Sequence, residues 1–235
     1  MKTIGLIGGL SWESSAVYYR IINELVRDKL GGTHSAKSIM YSVDFSEFEQ
    51  LQHQGDWDKL TELMIDAGTR LKNGGADFIV ICTNTMHKAA DAVEKQVGIP
   101  LLHIADAAAI EVKKMGLRKV ALLGTRFTME QDFYKARLLE KHGIEVVIPN
   151  CDERKMIHSV IYDELVLGKV LDSSREAFVK IIGHMNSLGA EGVVLGCTEI
   201  PLLISQKDST VPVFDTTRLH ALAAVEFSLG ASFYG

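Results

Sequence analysis

Short runs of consecutive apolar residues, each closed by a glycine-rich or polar turn, alternate along this chain with longer stretches whose apolar residues recur every three or four positions. Residues 4–7, ending in Gly8-Gly9, read as a strand buried on both faces, and 38–43, 78–81, 100–104, 120–123, 144–148, 193–195 and 211–214 read as further strands. Between the first two, Ser11 is placed to cap a helix in which Val17, Ile21, Ile22, Leu25, Val26 and Leu30 share a face until Gly31-Gly32 stops it. Asp56 can cap another, with Trp57, Leu60, Leu63, Met64, Ala67 and Leu71 on its apolar side and Gly74-Gly75 at its end. Helical spacing also covers 85–97, 105–115, 129–142, 152–167, 173–188 and 216–229. Strands alternating with helices predict an α/β fold with parallel sheets wrapped by right-handed crossovers. Ligands bind outside the carboxyl ends of such strands, which points to the turns after Ile7, Ile81, Leu123 and Leu195.

The pattern repeats. Gly75-Ala76-Asp77 and the apolar run to Thr85 fall on Gly189-Ala190-Glu191 and the run to Glu199 at a shift of 114, which sets Thr83 opposite Cys197. Residues 3–8 match 119–124, and 99–102 match 211–214, at nearly the same shift. Two copies of one unit predict two doubly wound αβα domains related by a pseudo-twofold axis. Their expected bounds are 1–106 plus 210–235 for the domain with Thr83 and 107–209 for the domain with Cys197, the ligand lying in a cleft between them. The C-terminal helix is expected to return to the first domain.

Composition narrows the partners. A net charge of −5, with basic residues scattered singly among acidic ones, offers no footprint for nucleic acid. The first apolar run is far shorter than the ~20 residues of a membrane span, so no membrane association is expected. Cys82, Cys151 and Cys197 are an odd, widely spaced set without CxxC, which indicates neither a disulfide framework nor a zinc site and fits a reducing cytoplasm.

Cys197 follows a strand, and a helix start is expected just after it, where unpaired N–H groups and the helix dipole would lower a thiol's pKa; polar Thr198-Glu199 lie beside it. The alternative is a small buried hydrophobe. Thr83, Asn84 and Thr85 gather polar groups at another strand end, as caps or as donors to a carboxylate. Cys82 is one residue out of register with Cys197 and reads as core. The glycines from Gly5 to Gly9 either seat an anion on their amides or let a strand pack on a helix; the spacing is neither GxGxxG nor GxxxxGK[ST]. His87 and His103 are acid/base candidates or structural groups. Asp44, Gln52, Asp106, Glu130 and Glu164 lie near strand ends or helix starts, with no spacing that demands a metal.

Residues 2–14, the segment Cys82-Thr83-Asn84-Thr85-Met86-His87 and Leu195-Gly196-Cys197-Thr198-Glu199 together resemble, over nearly the whole chain, the cofactor-independent aspartate/glutamate racemases, and most nearly their L-aspartate/glutamate-specific or broad-specificity enterobacterial type. The resemblance implies an isomerase without pyridoxal phosphate or other cofactor. In it a cysteine from each domain stands on either face of the substrate's α-carbon, one thiolate removing the α-proton and the opposite thiol returning one. It implies further that Asn84, Thr85 and Thr198 hold the substrate's carboxylate or ammonium, that Gln52 reaches its side-chain carboxylate, that Leu10 lines the cleft, and that the protein forms a homodimer.

One departure bears on the chemistry. Aligning Asn84 with the family's C-N-T-x-H motif puts Thr83 where the first catalytic cysteine belongs, as the internal repeat also does; with one residue inserted, Cys82 would serve instead. With Thr83 there, a hydroxyl far less acidic than a thiol is a poor base, and Cys197 becomes the main one. Preferential action on L-aspartate or L-glutamate is then expected. Racemisation of other amino acids or hydantoins, isomerisation or decarboxylation of small diacids, and a non-catalytic amino-acid-binding protein are the alternatives.

Overall fold

Ile4–Gly8 (β1), Ser38–Ser42 (β2), Phe78–Ile81 (β3) and Leu101–Leu102 (β4) form a four-stranded parallel sheet in the order β2-β1-β3-β4. Lys119–Gly124 (β5), Glu145–Val147 (β6), Gly192–Gly196 (β7) and Val213–Asp215 (β8) form a second in the order β6-β5-β7-β8, the same permutation of the repeat. The computed structural model describes residues 1–232. It divides into two units, Met1–Ile104 with the chain from His220 onward, and Ala105–Leu219.

In the first unit Ser11 caps α1, Trp12–Leu30, by accepting from the Ser14 N–H, and Asp56 caps α3, Trp57–Asn73, by accepting from the Lys59 N–H. Leu60, Met64, Ala67 and Leu71 of α3 are buried against Ile79 and Ile81 of β3. Burial of each such leucine, isoleucine or methionine stabilises the unit by about 1.5–3 kcal/mol. Phe45–Gln54 is a helix (α2), capped by Asp44, that apolar spacing does not announce, because only Phe48 and Gln52 of it are buried. The helical pattern over 85–97 divides into a 3₁₀ turn, Thr85–Ala89, and α4, Ala90–Val97. Helix α5, Ile104–Lys114, begins one residue before its expected start.

In the second unit, Ala121, Leu123, Val193 and Leu195 of the sheet pack with Ile157 and Ile161 of α8, Cys151–Asp163, and with Phe178, Ile181, Ile182 and Met185 of α9, Asp172–Ser187. The expected helix over 129–142 is broken into α6, Arg126–Glu130, α7, Asp132–Ala136, and a π turn, Arg137–Lys141, because Gln131 is extended at ψ 153°. Helix α10 spans Thr216–Ser228.

Residues 210–219 are expected from the sequence with the first domain, yet β8 hydrogen-bonds beside β7 and completes the second sheet. The sheet needs that strand to cover β7, so the chain changes unit only within α10, at His220. There the His220 ring meets Tyr18 Oη at 2.9 Å through Nδ1 and the Leu102 carbonyl at 2.8 Å through Nε2, tying the C-terminal helix to the first unit. Residues 233–235 of the expected range lie outside the described residues.

Candidate active site

Parallel pairing sets the strand ends level within each unit, and the sequence-predicted residues collect at those ends. In the first unit Gly8 of β1 pairs with Ser42 of β2, and Ile7 with Ile81 of β3, so the turns after these strands share one edge. Gly9 is required in its turn: at φ 84° it brings the chain so near β2 that an added Cβ would lie 2.1 Å from the Val43 carbonyl oxygen. The Gly9 N–H donates to Ser15 Oγ at 2.9 Å, and Ser11 holds φ 133°, a strained value for a residue with a side chain. Gly9 thus serves the close approach of this turn to the end of β2 and its tie to Ser15 of α1.

Leu10 is buried in the first unit's core, in the same apolar cluster as Met86. Gln52, on α2, is also buried and donates from Nε2 to Met86 Sδ at 3.3 Å, which brings it to the turn after β3. That turn carries Thr83, half-buried, and Asn84 and Thr85, both buried. The Thr83 carbonyl meets His87 Nδ1 at 2.7 Å. His87 Nε2 accepts the Ile104 N–H at 3.2 Å, so Nδ1 carries the ring hydrogen and both nitrogens are committed to backbone; the imidazole braces the turn. Cys82 is fully buried, and that burial pushes its thiol well above the usual range. It is a core residue.

In the second unit Gly124 of β5 pairs with Gly196 of β7, and Cys197 comes directly after. A Cβ on Gly124 would lie 2.6 Å from the Gly196 carbonyl oxygen, so this pair lets two backbones approach where Cys197 leaves the sheet. Cys197 is 6% exposed and belongs to the second unit's apolar cluster. Its Sγ–H donates to Glu199 Oε2 at 3.1 Å, and Thr198 Oγ1–H donates to the same oxygen at 2.8 Å. Glu199 is itself buried, and its Oε1 has no hydrogen-bond partner among the described residues.

This environment corrects one expectation. The sequence predicts a lowered Cys197 pKa from a helix start, but burial first, and the Glu199 carboxylate second, push the thiol well up. The N–H groups of Glu199 and Ile200 act the other way and are outweighed by these two causes; the element that follows is a single 3₁₀ turn, Ile200–Leu202, rather than the helix that the sequence suggests. Cys197 therefore rests as a thiol in contact with the Glu199 side chain. Sequence reasoning marks Glu199 only as a polar neighbour; its contact with Sγ depends on the turn's conformation and has no periodic signal. Among the described residues no group of His, Cys, Asp and Glu is arranged to hold a metal.

The fold has close counterparts. A candidate Asp/Glu racemase of Yersinia pestis is 54% identical, with TM-score 0.92, over 97% of this chain and 100% of its own. An aspartate racemase homologue of Pyrococcus horikoshii is 40% identical with TM-score 0.84 over the same shares. A broad specificity amino-acid racemase of Bacillus subtilis is 22% identical over 170 residues, covering 72% of this chain and 73% of the relative. The family profile described as Asp/Glu/Hydantoin racemase matches residues 7–224, and the chain belongs to that family.

Proposed function

We propose that this enzyme is an isomerase that racemises aspartate and glutamate, favouring the L enantiomers in kcat and KM, with Cys197 as the base that takes the α-proton and Thr83 on the opposite side of the reaction. The observation that carries the reading is the contact of Cys197 Sγ with the buried Glu199 carboxylate at 3.1 Å. A thiol raised by burial is a poor base until its hydrogen leaves. Glu199 Oε2 is the acceptor already in contact with it, and Oε1 retains capacity for a cationic group such as a substrate ammonium.

In the proposed reaction the Sγ–H proton moves to Glu199, the thiolate takes the substrate's α-proton, and the electron pair of the broken C–H bond spreads into the carboxylate as an enediolate. Donors from Asn84, Thr85 and Thr198 stabilise that charge, and Gln52 and Leu10 bound the side-chain end. A proton delivered to the opposite face, through or beside the Thr83 hydroxyl, completes inversion. Since the enantiomers have equal free energy, kcat/KM must be the same in both directions. An L preference therefore shows in kcat and KM separately. A role on other amino acids, favoured by the breadth named for the Bacillus subtilis relative, or on hydantoins, which the family description includes, is the second reading.

Chiral chromatography of L-aspartate, D-aspartate, L-glutamate and D-glutamate after incubation with the enzyme tests the proposal. Formation of the opposite enantiomer, abolished in Cys197→Ser, is expected. Retention of all four substrates unchanged, with turnover of a neutral amino acid instead, would move the assignment to the second reading.

A further inference from the structure

A pocket of about 290 Å³ opens in the second unit, away from Cys197 and its neighbours. Its lining is Arg126, Glu130, Arg154, Lys155, His158 and Ser159. Arg126 is the second residue after β5, and Arg154 to Ser159 lie on α8, which comes after β6; β5 and β6 are adjacent and parallel. The pocket thus sits at the carboxyl edge of the sheet, on the β6 side of β5, whereas Cys197 leaves the sheet from β7 on the other side.

The charges are unbalanced. Three cationic side chains face one carboxylate. That carboxylate is engaged: Arg154 Nε donates to Glu130 Oε1 at 2.9 Å, while Arg154 Nη1 donates to the Pro149 carbonyl at 2.7 Å. Lys155 lies 3.5 Å from Asp152 in an exposed pair that adds little stability. The Arg126 guanidinium has no carboxylate partner among the described residues and rests 5.4 Å from the Phe127 ring centroid. Its backbone N–H donates to His158 Nδ1 at 3.3 Å, which places the His158 ring hydrogen on Nε2. Planar guanidinium, ammonium and the Ser159 hydroxyl complement an oxyanion, and Arg presents its donors in a fork suited to carboxylate or phosphate. The volume lies at the small end of ligand pockets.

We propose that this pocket is a second anion site, taking the phosphate or carboxylate group of a small molecule, separate from the Cys197 chemistry. Calorimetric titration with inorganic phosphate and, in a second arm, succinate, at fixed ionic strength, tests it on the intact enzyme and on Cys197→Ser. Saturable binding of one or both anions is expected in both proteins, and the arm that binds more tightly identifies the source. Arg126→Ala should weaken that binding by about tenfold or more, with an unchanged circular dichroism spectrum, and Arg126→Glu should abolish it. L-aspartate, whose own heat of binding is read first in anion-free buffer, should leave the anion bound. Absence of saturable binding in both arms, a loss of less than about threefold in Arg126→Ala, or one-for-one displacement by L-aspartate would overturn the proposal. Failure of L-aspartate to bind at all counts against the racemase reading and leaves the anion arms to be judged on Arg126.

Discussion

Replacing Asp106 with Asn should cost the second unit about 3 kcal/mol. The Asp106 carboxylate is fully buried and accepts from Arg137 Nε at 2.7 Å, Arg137 Nη2 at 2.8 Å, Lys141 Nζ at 2.7 Å and His142 Nε2 at 2.8 Å. Burial alone raises such a carboxyl, and these hydrogen bonds, with the Arg137 charge, reverse the shift and hold it well below the usual range. Removing one member of a buried ion pair costs about 3–5 kcal/mol, since the partners lose their counter-charge. The Arg137 and Lys141 side chains are 19% and 41% exposed, so water recovers part of the loss and the lower figure applies. At about 2–4 °C per kcal/mol for a chain of this size, the melting temperature should fall by at least about 6 °C in calorimetry near pH 7. Because the folded carboxyl is depressed, its stabilisation is fully present above the unfolded value, about 3.9, and is lost as pH falls toward the folded value. The gap between wild type and Asp106→Asn, measured by urea unfolding, should therefore narrow by about 1.3 kcal/mol between pH 7 and pH 3. A gap below about 1 kcal/mol at pH 7, or one that does not narrow in acid, would refute the ion cluster as a source of stability.

Gly9→Ala should destabilise by more than about 2 kcal/mol in urea unfolding, combining a positive φ with a 2.1 Å approach to the Val43 carbonyl, whereas Gly55→Ala, left-handed at φ 76° and ψ 17° in open space, should lose only the backbone term of about 1 kcal/mol. A thiol reagent near neutral pH should label Cys151, which is exposed, far faster than the buried Cys82 and Cys197; mass spectrometry showing equal native rates would contradict the burial and raised thiols described. Thr83→Cys should raise kcat for the D enantiomers toward that for the L enantiomers, read by chiral product analysis, and no change would remove Thr83 from the proposed proton path.

Much of this architecture is legible in the residues because the two signals agree where the core is. Strands β1, β3, β5 and β7 are unbroken apolar runs, each buried along its length except at Lys119, and the caps Ser11 and Asp56 mark their helices by side-chain type. Edge elements are harder to place. β4 keeps two residues because only Leu101 and Leu102 find partners on β3, and α2 buries too narrow a face to produce a period. The break at Gln131 lies inside a continuous helical pattern, so periodicity does not mark it. Repeat and motif place Thr83 and Cys197 at strand ends, but the Cys197 environment depends on a side chain two positions away turning back onto Sγ. Arg126 and His158 are brought together by the β5–β6 pairing across 32 residues, a proximity that local spacing does not encode.

The central claim is that Cys197 moves an α-proton. Proton NMR of L-aspartate with the enzyme in D2O tests it most directly. Loss of the α-proton signal, matched by deuterium incorporation in the product and absent in Cys197→Ser, is the predicted result. An α-proton signal that persists with wild-type enzyme for each of L-aspartate, L-glutamate and their D forms, or one that disappears equally fast in Cys197→Ser, would contradict it.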